Sequence, residues 1–383
     1  MAKNKRIYYA VHQVGIKENF GGAFTAVHGV QSVGITTNFN LTQVFELGQL
    51  AIYENIEDLP DVEVSLSKVL DGHPLIYHLA TTGATLPTLA GRSNAKCSVG
   101  MAIFDDTLES ASGTPGSVLE CSGMFISSVS YNFPLEDNFS EDVTIVGNNK
   151  VWANDPLATR TLPSPTFAGA FTDNADIPFA GGGVNRRQDL IMGTGDATAG
   201  VYGYDVSVFP LEIPGITENI AGTGFNIDGG TSDGFAAHLA SITVSTDLGR
   251  ENINELGRKG PYHRSVTFPI EVTTEYEVTA HSGDLVSATE EGIYTPDGSG
   301  PCNDSGNLKD RALRVGTCEG TRIFLGTKNK LSSVNYTGGD AGGGNVSVTY
   351  TFTTFNDFTV IHANDTNDSG SAWWTNRERH LTA

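Results

Sequence analysis

The sequence predicts a mainly β protein made of two tandem β-sandwich or barrel domains, each with one short helix. Three observations predict it. The first is an internal repeat. Residues Ser32 to Pro60 and Ser241 to Pro269 align without a gap at an offset of 209. Seven of those 29 pairs are identical: Ser32/Ser241, Thr37/Thr246, Glu46/Glu255, Leu47/Leu256, Gly48/Gly257, Tyr53/Tyr262 and Pro60/Pro269. Ordinary residue usage gives about two by chance. Val62-Glu63-Val64-Ser65 then resembles Ile270-Glu271-Val272-Thr273, Ser127–Tyr131 resembles Ser332–Tyr336, and Asp142–Ile145 resembles Ser347–Tyr350. Stretches that recur in order at nearly one period indicate a duplicated unit.

The second observation is alternation. Val62, Val64 and Leu66 alternate with Glu63, Ser65 and Ser67, and Val346, Val348, Tyr350 and Phe352 alternate with Ser347, Thr349 and Thr351. A period of two marks strands with one buried face. The third is composition. Only 17% of the 383 residues are charged, and 45 are Gly, the usage of strands joined by many turns.

In chain order, Ile7–Ile16 reads as an opening strand, Asn38–Gly48 as a polar loop, and Val62 onward as a Pro-led strand. His73–Ala80, after Asp71-Gly72, is the helix of the first unit. Ser127–Phe133 and Val143–Val146 are strands, and the first domain spans residues 1–153. Residues 154–204 hold Pro156, Pro163, Pro165, Pro178 and Gly181-Gly182-Gly183, and read as a connector or surface excursion. The second domain, residues 205–362, opens with a strand at Tyr202–Ile213. It continues through Ile242–Ser245, the loop Asp247–Gly257, the strand from Phe268, a helix at Asp284–Glu291, and strands to Phe358–His362. Residues 363–383 form a polar tail in which Trp373-Trp374 is expected to dock onto something.

The formal net charge of −21 disfavours a grip on nucleic-acid phosphate. No run approaches a membrane span or a secretory leader. Cys97, Cys121, Cys302 and Cys318 form no CxxC pair, so free thiols in a reducing cytoplasm are expected; Cys97–Cys121 and Cys302–Cys318 are the pairs that could bridge.

Several motifs fall short of chemistry. Gly338–Gly344 lacks the Lys-Ser/Thr of a phosphate loop and reads as a hairpin turn. Asp365–Gly370 begins like a calcium loop, but its twelfth position is Asn376. His28 and His238 hold matching places without ligand-spaced partners in the sequence. No nucleophile, metal or cofactor signature emerges, so no catalytic, cofactor or metal residue is expected and the chain reads as a non-enzyme. Glu46-Leu47-Gly48 and Glu255-Leu256-Gly257 read as a contact loop between subunits, as a turn with Gly at positive φ, or as both.

The run Phe45–Gln49 with Leu59–Leu66 and Val69–Gly72, and in the second unit Glu255–Arg258 with Phe268–Thr273 and the hairpin Leu331–Phe352, resembles bacteriophage tail tube proteins. At 383 residues the chain is about twice a single tube domain, as in a duplicated form. The resemblance implies a structural virion protein, made in the host bacterial cytoplasm and located in the tail. Its rings, trimers with pseudo-sixfold symmetry or hexamers, would share an inner β-barrel and stack into a tube. Its partners would be further copies and other tail proteins, with DNA only in transit. Phe45, Glu46, Gly48, Glu255, Leu256, Gly257, Trp373 and Trp374 are the residues expected at ring or stacking contacts. A capsid decoration or baseplate protein, and a carbohydrate-binding β-sandwich, are the alternatives.

Overall fold

A computed structural model describes residues 6–19, 24–84, 88–111, 115–153, 184–187, 190–192, 238–258, 260–279, 313–317, 321–326, 328–338 and 346–362. The chain is mainly β, as the alternation predicts. Its spine is an antiparallel sheet of eight strands. In spatial order these are β3 (Val30–Asn38), β6 (Asp61–Val69), β9 (Ser140–Gly147), β8 (Ser117–Pro134), β12 (His238–Asp247), β15 (Glu271–Thr279), β19 (Ser347–Phe355) and β18 (Lys330–Thr337). The strands turn most of their apolar residues to one face. Val62, Val64 and Leu66 are buried on β6, Ile242 and Val244 on β12, and Val348, Tyr350 and Phe352 on β19.

Two smaller sheets accompany it. One joins β1 (His12–Glu18), β2 (Thr25–Ala26), β7 (Cys97–Ile103) and β10 (Asn149–Ala153) to the first half of β8. Gly123, at φ +66°, stands where β8 leaves this sheet for the spine. The other joins β11 (Leu190–Met192), β16 (Arg314–Thr317), β17 (Arg322–Phe324) and β20 (Thr359–Ile361). Two hairpins complete the β-structure of the described residues: β4 (Leu41–Phe45) with β5 (Ile52–Glu57), and β13 (Arg250–Ile253) with β14 (His263–Val266).

The first four spine strands and the last four share one order, and their pairing registers correspond. Adding 209 to β3 and 210 to β6 reproduces the β12–β15 ladder; adding 205 to β8 and 207 to β9 reproduces the β18–β19 ladder. Even the bulges coincide. The β3 ladder shifts between Val30 and Ser32, and the β12 ladder between Leu239 and Ser241. The β8 ladder shifts between Ile126 and Ser128, and the β18 ladder between Leu331 and Ser333. Residues that correspond in this way are counterparts. Register thus sets Val62 against Val272 and Val143 against Tyr350, two residues from the match that residue identity suggests. A slip of two leaves every side chain on its own face, so alternation cannot detect it.

The helix expected over His73–Ala80 is α1 (Ile76–Ala80), and α2 (Leu89–Ser93) follows, capped by the Thr88 hydroxyl accepting from Gly91 N at 3.2 Å. α1 has no cap of its own. The buried Glu141 carboxylate accepts from Ile76 N at 2.7 Å and Tyr77 N at 3.0 Å, and the Tyr131 hydroxyl donates to it at 2.9 Å. A remote strand therefore supplies the acceptor that a helix start needs. Cys97 and Cys121 are both free and buried, and burial pushes each thiol up to about 12. The expected helix at Asp284–Glu291, the strand at Tyr202–Ile213, Cys302 and Cys318 lie outside the described residues. β11, which pairs with β16 as β1 pairs with β7, falls within the stretch read as connector.

Candidate assembly interface

The two halves of the spine meet at one ladder. β8 and β12 pair antiparallel from Ser241↔Pro134 to Asp247↔Ser128. The joint buries Tyr131, at 0% exposure, and Val129 on one side, and Ile242 and Val244 on the other.

The β13–β14 hairpin then folds over the seam. Arg250 Nε donates to the Ile126 carbonyl at 2.7 Å, and the Arg250 guanidinium lies 5.0 Å from the centre of the Phe125 ring. His263 meets Phe125 edge-on at 5.3 Å. Burial, then the Lys96 and Arg250 charges, pulls the His263 pKa down, which favours the neutral ring. Arg264 Nη2 donates to Asp61 Oδ1 at 2.7 Å and to Asn148 Oδ1 at 3.0 Å. Burial alone pushes the Asp61 carboxyl up, but hydrogen bonds from Asn40, Arg264 and Asn148 and the Arg264 charge hold it below the usual range. Leu248, 1% exposed, closes the seam, its amide donating to the Ser127 carbonyl at 2.8 Å. The halves approach so closely that a Cβ on Gly260 would stand 3.1 Å from Leu59 Cδ1.

Among the described residues, nothing covers the same elements on the outer sides of the spine. Among the described residues, β3, the counterpart of β12, pairs with β6 alone, and β18, the counterpart of β8, pairs with β19 alone. Tyr336, the counterpart of Tyr131, is 55% exposed. The β4–β5 hairpin matches β13–β14 at an offset of 209 on both strands, since Leu41↔Glu57 and Val44↔Glu54 reproduce Arg250↔Val266 and Ile253↔His263. Yet it stands in solvent. Phe39, the counterpart of Leu248, is 72% exposed, and Leu41, Phe45, Leu50, Ile52, Tyr53 and Ile56 are exposed with it. Covering a side chain such as Phe39 is worth about 1.5–3 kcal/mol. Among the described residues both edges are open, and a long open edge beside an apolar hairpin is a template for strand addition.

The residues singled out in the sequence fall at the hairpin ends. Phe45 closes β4, Glu46 and Gly48 lie in the turn that follows, and Glu255, Leu256 and Gly257 lie in the turn after β13. Gly48 has φ +104° and Gly257 φ +84°, a conformation that other residues adopt at a cost. Leu47 and Leu256, at the two tips, are fully exposed. The turns belong to hairpins where the sequence suggested loops, because β4, β5 and β13 have no buried residue and so show no alternation. Trp373 and Trp374 lie outside the described residues. Tyr336 and Phe39 carry no local signal; only comparison with their buried counterparts singles them out.

His28 stacks on His73 at 4.1 Å, and its carbonyl accepts from the buried Lys68 ammonium at 2.9 Å. Among the described residues no group of three His, Cys, Asp or Glu side chains could hold a metal, and no helix is long and apolar enough to cross a membrane. The spine's second face is mostly polar: Ser, Thr and Asn dominate, Glu63, Asp142, Glu271, Glu275 and Glu277 add carboxylates, and Val146 and the exposed Phe355 are apolar exceptions.

No family model matches the chain, and no curated protein does. Among solved structures, a chain from the cap of the anti-feeding prophage, its tube-terminating cap, is similar at 12% identity. It covers 40% of this chain and 95% of its own, with a TM-score of 0.30. A chain from the sheath–tube complex of an extracellular contractile injection system in the extended state is 11% identical over 40% of this chain and 94% of its own (TM-score 0.28). A chain from the virion of a native gene transfer agent particle is 10% identical over 37% and 95% (TM-score 0.24).

Proposed function

We propose that this chain is a duplicated tail-tube protein whose copies join head to tail into rings that stack as a conduit for DNA. One observation carries the reading: the strand order and registers of the first half recur in the second, and the ladder that joins the halves uses counterparts of the two outer edges. In this reading β18 of one chain receives β3 of the next as β8 receives β12. The counterpart registers give Thr37 opposite Val334 and Ile35 opposite Tyr336. Such an interface is heterologous: two different surfaces meet, and repetition generates a ring or a filament. Closure removes both open edges.

Three chains would set six similar units around an axis, with about 24 spine strands in the wall. The apolar face packs under the smaller sheets, so the Ser/Thr face with Glu63, Asp142, Glu271, Glu275 and Glu277 lines the channel. Carboxylates there repel passing phosphate and leave it no site to hold. The hairpin tips at Phe45–Gly48 and Glu255–Gly257 make the ring and stacking contacts, and the Trp373-Trp374 tail braces the outside. Other tail proteins would cap the ends. The protein acts by assembly, in the virion tail, and not as an enzyme.

Electron microscopy of the concentrated protein, with averages viewed down any tube axis, tests this. Three chains in a ring of sixfold-like density are expected. Monodisperse monomers under every condition would overturn the reading.

A further inference from the structure

We infer that the joint between chains is held by a charge pair, Glu54 of one chain against Lys330 of the next, at the place where the joint within the chain has an aromatic contact. This rests on the head-to-tail reading above and deepens it. Within the chain, His263 of the β14 strand packs edge-on against Phe125 of β8. The counterpart of His263, 209 residues earlier, is Glu54 on β5. The counterpart of Phe125, 205 residues later, is Lys330 on β18. An aromatic contact inside the chain thus becomes an acid and a base on the two outer surfaces.

Neighbouring positions support the same seating. Leu248 closes the inner seam and donates its amide to Ser127; its counterpart Phe39 reaches the Ser332 carbonyl of the next chain. Arg250 covers Ile126, and the counterparts are Leu41 and Leu331, two apolar residues. Arg264 bonds Asp61. Its counterpart Asn55 comes to the start of the next chain's β15, beside the exposed Glu271.

The occupant of the surface around Lys330, Leu331 and Glu271 is therefore a second copy of this chain, through its β4–β5 hairpin. The two joints divide the work. The inner one forms once, at folding, and is sealed by arginines and aromatics. The outer one forms between free protomers, where opposite charges steer encounter and reject a reversed partner.

Charge reversal tests the pair. Glu54 and Lys330 are both exposed, so each variant is expected to keep the circular dichroism spectrum of the folded wild type. Sedimentation velocity at low salt then compares ring formation. Glu54→Lys and Lys330→Glu should each raise the protomer concentration needed for assembly at least tenfold, and the double variant should restore it to within about twofold. Rings from both single variants at the wild-type concentration would overturn the pairing while leaving the tube reading intact. A double variant no better than the singles would overturn it too. Wild-type protein that never forms rings would remove the tube reading and the pairing with it.

Discussion

Arg264 Nη2 donates to Asp61 Oδ1 at 2.7 Å, across 203 residues of sequence, and so fastens the hairpin of one half of the spine to a strand of the other. Asp61 sits below the usual carboxylate range in the folded chain: burial opposes the shift, and Asn40, Arg264 and Asn148 outweigh it. A depressed folded-state value means that the stabilisation is present above the unfolded value and is lost as pH falls through the folded one. Asp61→Asn is expected to lower the melting temperature by up to about 3 °C at neutral pH, because a half-exposed pair is worth little. The gap to wild type should close as the pH drops below the folded-state value. Melting curves across that range check it, and a gap that widens in acid would contradict the sign.

The Glu141 carboxylate holds two amides at the start of α1 and the Tyr131 hydroxyl. Burial pushes its pKa up, against those hydrogen bonds and the Lys68 charge. Glu141→Ala leaves two buried amide donors without an acceptor, at about 1–3 kcal/mol each. A loss of about 2–6 kcal/mol in unfolding free energy is expected from denaturant titration. Glu141→Gln, which keeps one acceptor oxygen, should lose less.

These two examples show what a sequence of this kind makes legible. Alternation exposes the spine strands, because one buried face imprints a period of two on Val62–Leu66 or Val348–Phe352. It is blind to β4 and β5, whose residues meet water on both sides, so a hairpin reads as a loop. It is blind to α2, five residues long. Glu141 gives no sign of capping α1, since the two are 65 residues apart. The repeat was visible as identity, but the meeting of β8 with β12 is a contact between distant segments, and only the fold puts Tyr131 under cover and Tyr336 in solvent.

That contrast gives a third prediction. Tyr336 lies on an outer edge strand, where a single lysine is the usual device against strand addition. Tyr336→Lys should leave the protomer within about 0.5 kcal/mol of wild-type stability, as surface changes do, and abolish ring formation. Tyr131→Lys, at the buried counterpart, should instead fail to fold. Circular dichroism separates folding from assembly, and light scattering reads assembly. Normal rings from Tyr336→Lys would mean that β18 is not an edge used between chains.

The hairpin tips supply the last prediction. Leu47 and Leu256 are counterparts, both fully exposed, and each sits beside a glycine at positive φ that fixes its turn. Two turns held in one shape, each presenting a bare leucine, suit a contact made twice per chain. In the proposed ring both tips would lie beyond the strands that pair, where they would touch the ring above or below. Leu47→Ser with Leu256→Ser should therefore leave rings intact and shorten the stacks, seen as single rings in micrographs where wild type gives tubes. The single variants should be intermediate, because each removes half of the same contact. Full-length tubes from the double variant would return both leucines to the status of ordinary exposed turn residues.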